Sequence, residues 1–202
     1  MKRLFFLSIL LCGLLTSFAQ KTAMKVLDDA AASFKKAGGV KVAYTYSMNG
    51  QQGSGTIMML GQKFKNDLGE HVVWFNGKTM WTLVKSNEEV NVTEPTAQEI
   101  ASMNPYAFVS MYKKGFNASF GKSTKQQYEI ILKSNGKQGG AKQIVLRLNK
   151  SSLQPTYVKM TGTDGNAVEI TVTSFAKGQK YNDATFTFNP KQYPDVEVVD
   201  LR

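Results

Sequence analysis

The sequence predicts a mainly β protein, an antiparallel incomplete (half-open) β-barrel of about 11 strands with an α-helical lid. Three observations carry that expectation. Beyond one helical segment near the start, apolar residues recur with a period of two in short runs. Tight-turn dipeptides separate these runs, among them Asn49-Gly50, Asn76-Gly77, Asn135-Gly136 and Asp164-Gly165. Midway, two short proline-opened helical pieces interrupt the meander.

Residues 1–19 read as a cleaved signal peptide. Lys2 and Arg3 precede an apolar run from Leu4 to Leu15, and small residues stand at Ser17 and Ala19. The run is shorter than the roughly 20 residues of a spanning helix. A lipid-modified leader is disfavoured because Leu11, not a small residue, precedes Cys12. Residues 20–202 are then expected to form one domain, large enough to bury its own core. Cleavage removes the only cysteine, so neither a disulfide nor a thiol nucleophile is expected.

From Thr22 to Ala37, Val26, Leu27, Ala30, Ala31 and Phe34 share one helical face, and Gly38-Gly39 ends the segment. Strands are expected over residues 40–48, 56–60, 63–67, 72–75, 79–84 and 90–92. After the interruption they are expected over 116–122, 127–133, 143–149, 156–161, 167–175 and 185–188. Glu94-Pro95 opens the first inserted helix, which carries Ile100 and Met103. Asn104-Pro105 opens the second, which carries Phe108, Val109 and Met111. Their apolar faces are expected to pack across the open mouth of the sheet.

Several functions are disfavoured by composition. Without Lys2 and Arg3 the chain keeps 23 basic residues against 15 acidic ones, but only Arg147 and Arg202 are arginines. Nucleic-acid readers cluster their basic residues and use arginine forks, so no nucleic-acid partner is expected. Dispersed lysines suit solubility and loose attraction to an anionic surface. His71 is the only histidine, and no Cys or carboxylate cluster accompanies it, so neither a metal site nor a cofactor is expected. No serine stands in a nucleophile-elbow setting, and His71 reads as a surface residue at a strand end. An enzyme is therefore not expected.

Beyond the leader, eight methionines, two tryptophans and many Phe and Tyr residues remain to be placed. Taken singly, each reads as core. Together with a wide curled sheet they suggest an apolar pocket, since methionine adapts to varied apolar ligands. Alternation puts Met58, Leu60, Ile130, Leu132, Ile144, Leu146, Val168, Ile170 and Val172 on one face. Ile100, Met103, Phe108 and Met111 of the lid would close over them, and an acyl chain would bind by burial.

The order of elements resembles the LolA family of periplasmic lipoprotein carriers. Asn76-Gly77-Lys78-Thr79-Met80-Trp81 is similar to the family's D-G-K-T-L-W turn and strand. Ala184-Thr185-Phe186-Thr187-Phe188-Asn189-Pro190, followed by Val196 to Arg202, resembles its F-x-F-x-P stretch. The resemblance implies a periplasmic chaperone that holds lipoprotein acyl chains in a hydrophobic cavity. Its partners would be acylated lipoproteins as cargo, an inner-membrane lipoprotein-releasing ABC transporter and an outer-membrane acceptor, and it would act as a monomer. One departure is visible: Leu60-Gly61-Gln62-Lys63-Phe64 lacks the arginine that latches the lid in the best-known members. A lipid- or lipoprotein-sensing regulator of the same half-barrel fold is the alternative reading.

Overall fold

A computed structural model of the chain describes residues 22–97, 99–100, 112–113, 115–136 and 141–202. The expected leader at residues 1–19 lies outside them, as do Met103, Phe108 and Met111 of the expected lid. The helix α1 spans Ala23–Lys36, where Val26, Leu27 and Ala30 are buried at one-turn spacing. The Thr22 hydroxyl accepts from the Lys25 amide at its N-terminus, and Lys35 and Lys36 close its last turn, both favourable to the helix dipole.

Among the described residues twelve strands follow. They are β1 (Gly39–Met48), β2 (Gln51–Leu60), β3 (Lys63–Asp67), β4 (His71–Phe75), β5 (Met80–Val84) and β6 (Glu89–Thr93). After the interruption come β7 (Phe116–Phe120), β8 (Gln127–Ser134), β9 (Ala141–Asn149), β10 (Pro155–Gly162), β11 (Ala167–Gln179) and β12 (Glu197–Asp200). All belong to one sheet in the order β12-β6-β5-β4-β3-β2-β1-β11-β10-β9-β8-β7. β12 and β7 remain as edges, so the sheet does not close into a barrel.

One expected strand is corrected. Residues 183–186 form a 3₁₀ turn rather than the start of a strand over 185–188, because the Asn182 side chain accepts from the Thr185 amide and hydroxyl. That local bond competes with strand pairing. The last strand is β12, which runs parallel to β6 with Val198 opposite Val90.

The inner face, which α1 covers, and the outer face each have a core. Under α1, Ile130, Leu132, Ile144, Leu146, Leu148 and Val158 pack against Val26 and Leu27. The inner face of β1–β5 forms a second cluster around Val40, Val42, Ile57, Met59, Phe64 and Phe75. On the outer face the segment before β12 lays Phe188 and Tyr193 on Trp74, with ring centroids 5.5 and 5.8 Å apart. The sequence motifs around Trp81 and Phe188 therefore meet in one structural cluster: Trp81 pairs with Trp74 across β4 and β5 and packs against the same group.

Candidate functional site: the inner face of the sheet

Strand pairing decides which side chains face inward. Val42 lies opposite Ile57 and Val40 opposite Met59, so Ile57 and Met59 occupy the inner face and are fully buried. Met58 and Leu60 point the other way, opposite Lys41 and Lys63. The expectation that Met58 and Leu60 line the inner face is corrected to Ile57 and Met59. The cause is the partner strand: a register shift by one residue exchanges the faces. Met58 instead sits in an open outer groove of about 530 Å³, among Lys41, Thr45, Ser54, Lys65 and Asp67.

The other expected strand residues do share the inner face. Ile130 lies opposite Leu146, Leu132 opposite Ile144, and Val158 opposite Ile170. Val168 and Val172 flank Ile170 at two-residue spacing. Yet these positions are not equivalent. Ile130, Leu132, Ile144 and Leu146 are buried in one core with Val26 and Leu27 of α1, and a cavity beside Leu27 and Leu146 holds about 20 Å³, room for about one water. They are helix–sheet core, and an acyl chain could reach them only by displacing α1.

Along β11 the situation differs. Ile170 touches both inner clusters, and Val168, Ile170 and Val172 are half-buried rather than sealed. Met160 lies opposite Val168, Tyr46 opposite Ile170 and Tyr44 opposite Val172. This apolar seam runs between the part of the sheet that α1 covers and the β1–β5 cluster. Ile100, before the interruption, also packs on the second cluster. Thr96 and Glu99 bond as in a capping box: the Glu99 carboxylate accepts from the Thr96 amide at 2.7 Å and the Thr96 hydroxyl from the Glu99 amide at 3.3 Å.

Two tyrosines shape one wall of the seam. Gly53 and Gly55 lie beneath them: a Cβ on Gly53 would stand 2.5 Å from the Tyr46 ring, and one on Gly55 2.7 Å from the Tyr44 ring. The Tyr44 hydroxyl donates to Asn66 Oδ1 at 2.7 Å, and both residues are buried. Burial pushes the Tyr44 hydroxyl pKa up to about 12, with its bond to Asn66 opposing the shift. Sequence reading missed this pair. Its only signal is the Gly53-Ser54-Gly55 spacing opposite two alternating tyrosines.

The far end of the interruption is tied to α1. Tyr112 is buried in the core under α1, and its hydroxyl donates to the Asp28 carboxylate. Lys113 Nζ contacts the same carboxylate at 2.8 Å. Lys113 first and Tyr112 second hold the Asp28 carboxyl below its ordinary range. Lys63, in the Leu60–Phe64 stretch that lacks the expected arginine, pairs with Asp183 at 2.7 Å. That bond joins β3 to the C-terminal segment on the outer face.

His71 is exposed at the start of β4. Among the described residues no group of three His, Cys, Asp or Glu could hold a metal ion. No described helix is long and apolar enough to cross a membrane.

Among the described residues, an open, mostly antiparallel sheet with α1 on its inner face and an apolar seam beside it defines a fold of half-barrel type. The chain matches the family described as outer membrane lipoprotein carrier protein LolA over residues 15–166, and it belongs to that family. No curated protein matches it in sequence. Among solved structures it is similar to an uncharacterized conserved protein from Thermus thermophilus, at 11% identity and a TM-score of 0.61 over 88% of this chain and 98% of that one. A putative outer membrane lipoprotein-sorting protein domain from Vibrio parahaemolyticus matches at 10% identity and a TM-score of 0.49, covering 85% of this chain and 97% of that one. The MucA/MucB complex of Pseudomonas aeruginosa matches at 9% identity and 0.44, covering 86% of this chain and 63% of that one. At these identities the likeness concerns the fold.

Proposed function

We propose that this protein binds the acyl chains of lipoproteins along the β11 seam and carries them through the periplasm from the inner to the outer membrane. The observation that carries the reading is the half-buried apolar strip of Val168, Ile170 and Val172, with Met160 and Tyr46 beside it. Family membership points the same way. Each methylene taken from water there contributes roughly 0.8 kcal/mol. A dozen methylenes give roughly 10 kcal/mol, which outweighs association costs only toward the lower part of their about 4–15 kcal/mol range, so capture stays reversible.

In this reading residues 1–19 are a leader removed on export, and residues 20–202 are a monomeric carrier without enzymatic activity. Ile100, Met103, Phe108 and Met111 close over the seam, and an inner-membrane ABC transporter loads it. Deeper entry, toward Ile130, Leu132, Ile144 and Leu146, requires α1 to move aside. The test is native mass spectrometry of protein purified from the periplasm, followed by delipidation and titration with an acylated peptide. Co-purifying or reloaded acyl ligand is expected. A protein that takes up no apolar ligand in either form contradicts the reading.

A further inference from the structure

The alternation of strand direction places each connection between antiparallel neighbours at one of two ends of the sheet, and the charges are sorted with them. At one end lie the α1–β1, β7–β8 and β9–β10 connections and the exit from β11. Lys35 and Lys36 close α1 there. Lys122 and Lys125 stand in the β7–β8 connection, Lys150 follows β9, and Lys177 and Lys180 mark the end of β11. None of these seven lysines forms an ion pair with a described residue. All are exposed except Lys150, which leans over the Tyr128 ring at 5.0 Å.

No carboxylate stands in those three connections. Glu129, the acid that reaches nearest, is already engaged by Arg147 at 2.8 Å and by the Lys122 amide at 2.9 Å. The β2–β3 and β4–β5 connections, the exit from β6 and the end of β12 share this end on the other half of the sheet, where Asp183, Glu94 and Asp200 are engaged by Lys63, Lys78 and Arg202, and the Glu99 carboxylate accepts from the Thr96 amide and hydroxyl. The described connections at the opposite end carry Glu70, Glu88, Asp164 and Asp195. Against these stand Lys85 and Lys113, the latter paired with Asp28. The molecule therefore presents one strongly basic end.

We propose that this basic end docks on an anionic phospholipid bilayer surface. Lysines are strongly hydrated point charges without the planar fork that selects a particular carboxylate, and here they are spread over separate turns. That suits a diffuse charged plane better than one acidic protein epitope. Phe120, 38% exposed at the same end and two residues before Lys122, adds an apolar ring beside the lysines. Apolar rings next to basic residues are the pattern of side chains that rest in the bilayer interface. The inference rests on charge placement and not on the acyl-binding reading, so either can fail alone.

The test is flotation of the exported chain with vesicles of phosphatidylcholine alone or mixed with phosphatidylglycerol. At low salt the anionic vesicles are expected to retain the protein and the neutral ones not, and about 0.5 M salt is expected to release it. Each lysine near the surface is worth about a fivefold change in partitioning, so the triple variant Lys35→Gln, Lys36→Gln, Lys177→Gln is expected to lose about 100-fold. A control triple, Lys85→Gln, Lys133→Gln, Lys142→Gln, removes the same net charge away from this end and is expected to stay within about fivefold of the parent. Equal loss in both triples would reduce the effect to net charge and overturn the proposal. So would equal retention by neutral vesicles, or retention by soluble polyglutamate but by no vesicle, which would mark the surface as a protein-binding one.

Discussion

Tyr112 donates its hydroxyl proton to Asp28, joining the residue that ends the interruption to the middle of α1. Because Tyr112 is also packed into the core under α1, helix and returning chain form one unit. Movement of α1 away from Ile130 and Leu146 would therefore have to break the Tyr112–Asp28 bond or carry Tyr112 with it.

The bond has a defined pH dependence. Lys113 and then Tyr112 depress the Asp28 pKa, so its contribution is present above the ordinary value of 3.8 and is lost as pH falls through the lower folded value. Tyr112→Phe is expected to lower the melting temperature at neutral pH. The gap between variant and parent should narrow in melts taken below about pH 3.8. A gap that is constant across that range would show that the lost bond does not depend on the carboxylate's charge.

Tyr44 and Asn66 offer a cleaner energetic test because both are buried. Tyr44→Phe leaves Asn66 Oδ1 without its hydroxyl donor and is expected to cost about 1–3 kcal/mol in urea unfolding. Replacing both, as Tyr44→Phe with Asn66→Leu, is expected to recover part of that loss. Strict additivity of the two single changes would contradict a direct coupling.

Gly55 is required by proximity rather than by its backbone angle. Gly55→Ala places a Cβ 2.7 Å from the Tyr44 ring, which is itself held by Asn66. The expected loss is about 1–3 kcal/mol, as for other overpacked sites. Gly55→Ala combined with Tyr44→Ala should lose less than the sum of the two single changes.

These examples show which parts of the fold are legible in the amino-acid order. β8, β9 and β11 alternate cleanly, so Ile130, Leu132, Ile144, Leu146, Val168, Ile170 and Val172 can be assigned to one face without a structure. β2 cannot be read this way, because Ile57-Met58-Met59-Leu60 is apolar throughout and has no period. Only pairing with Val40 and Val42 selects Ile57 and Met59. The parallel return of β12 to β6 is a long-range choice, and its neighbour Phe188 looks strand-like until Asn182 caps the preceding turn. Likewise, no local pattern reveals that α1 seals one half of the inner face and leaves β11 half-open.

The Lys63–Asp183 pair lies on the outer face, with Asp183 84% exposed on its side chain. Exposed pairs contribute about 0–1 kcal/mol. Asp183→Ala is expected to leave both stability and acyl uptake near the parent values, by urea unfolding and probe titration. A large loss of uptake would assign Lys63 the latch role that its geometry does not support.

The most direct measurement of the central claim compares the two faces of the sheet. Delipidated protein would be titrated with a fluorescent acyl probe as parent, as Ile170→Glu and as Met58→Glu, with melting curves to verify folding. A carboxylate at Ile170 falls in the half-buried seam, whereas one at Met58 falls in the polar outer groove. The account predicts at least about tenfold weaker binding for folded Ile170→Glu, the cost of placing a polar group against the chain, and near-parent binding for Met58→Glu. Parent-like binding by folded Ile170→Glu, or a loss confined to Met58→Glu, would contradict it.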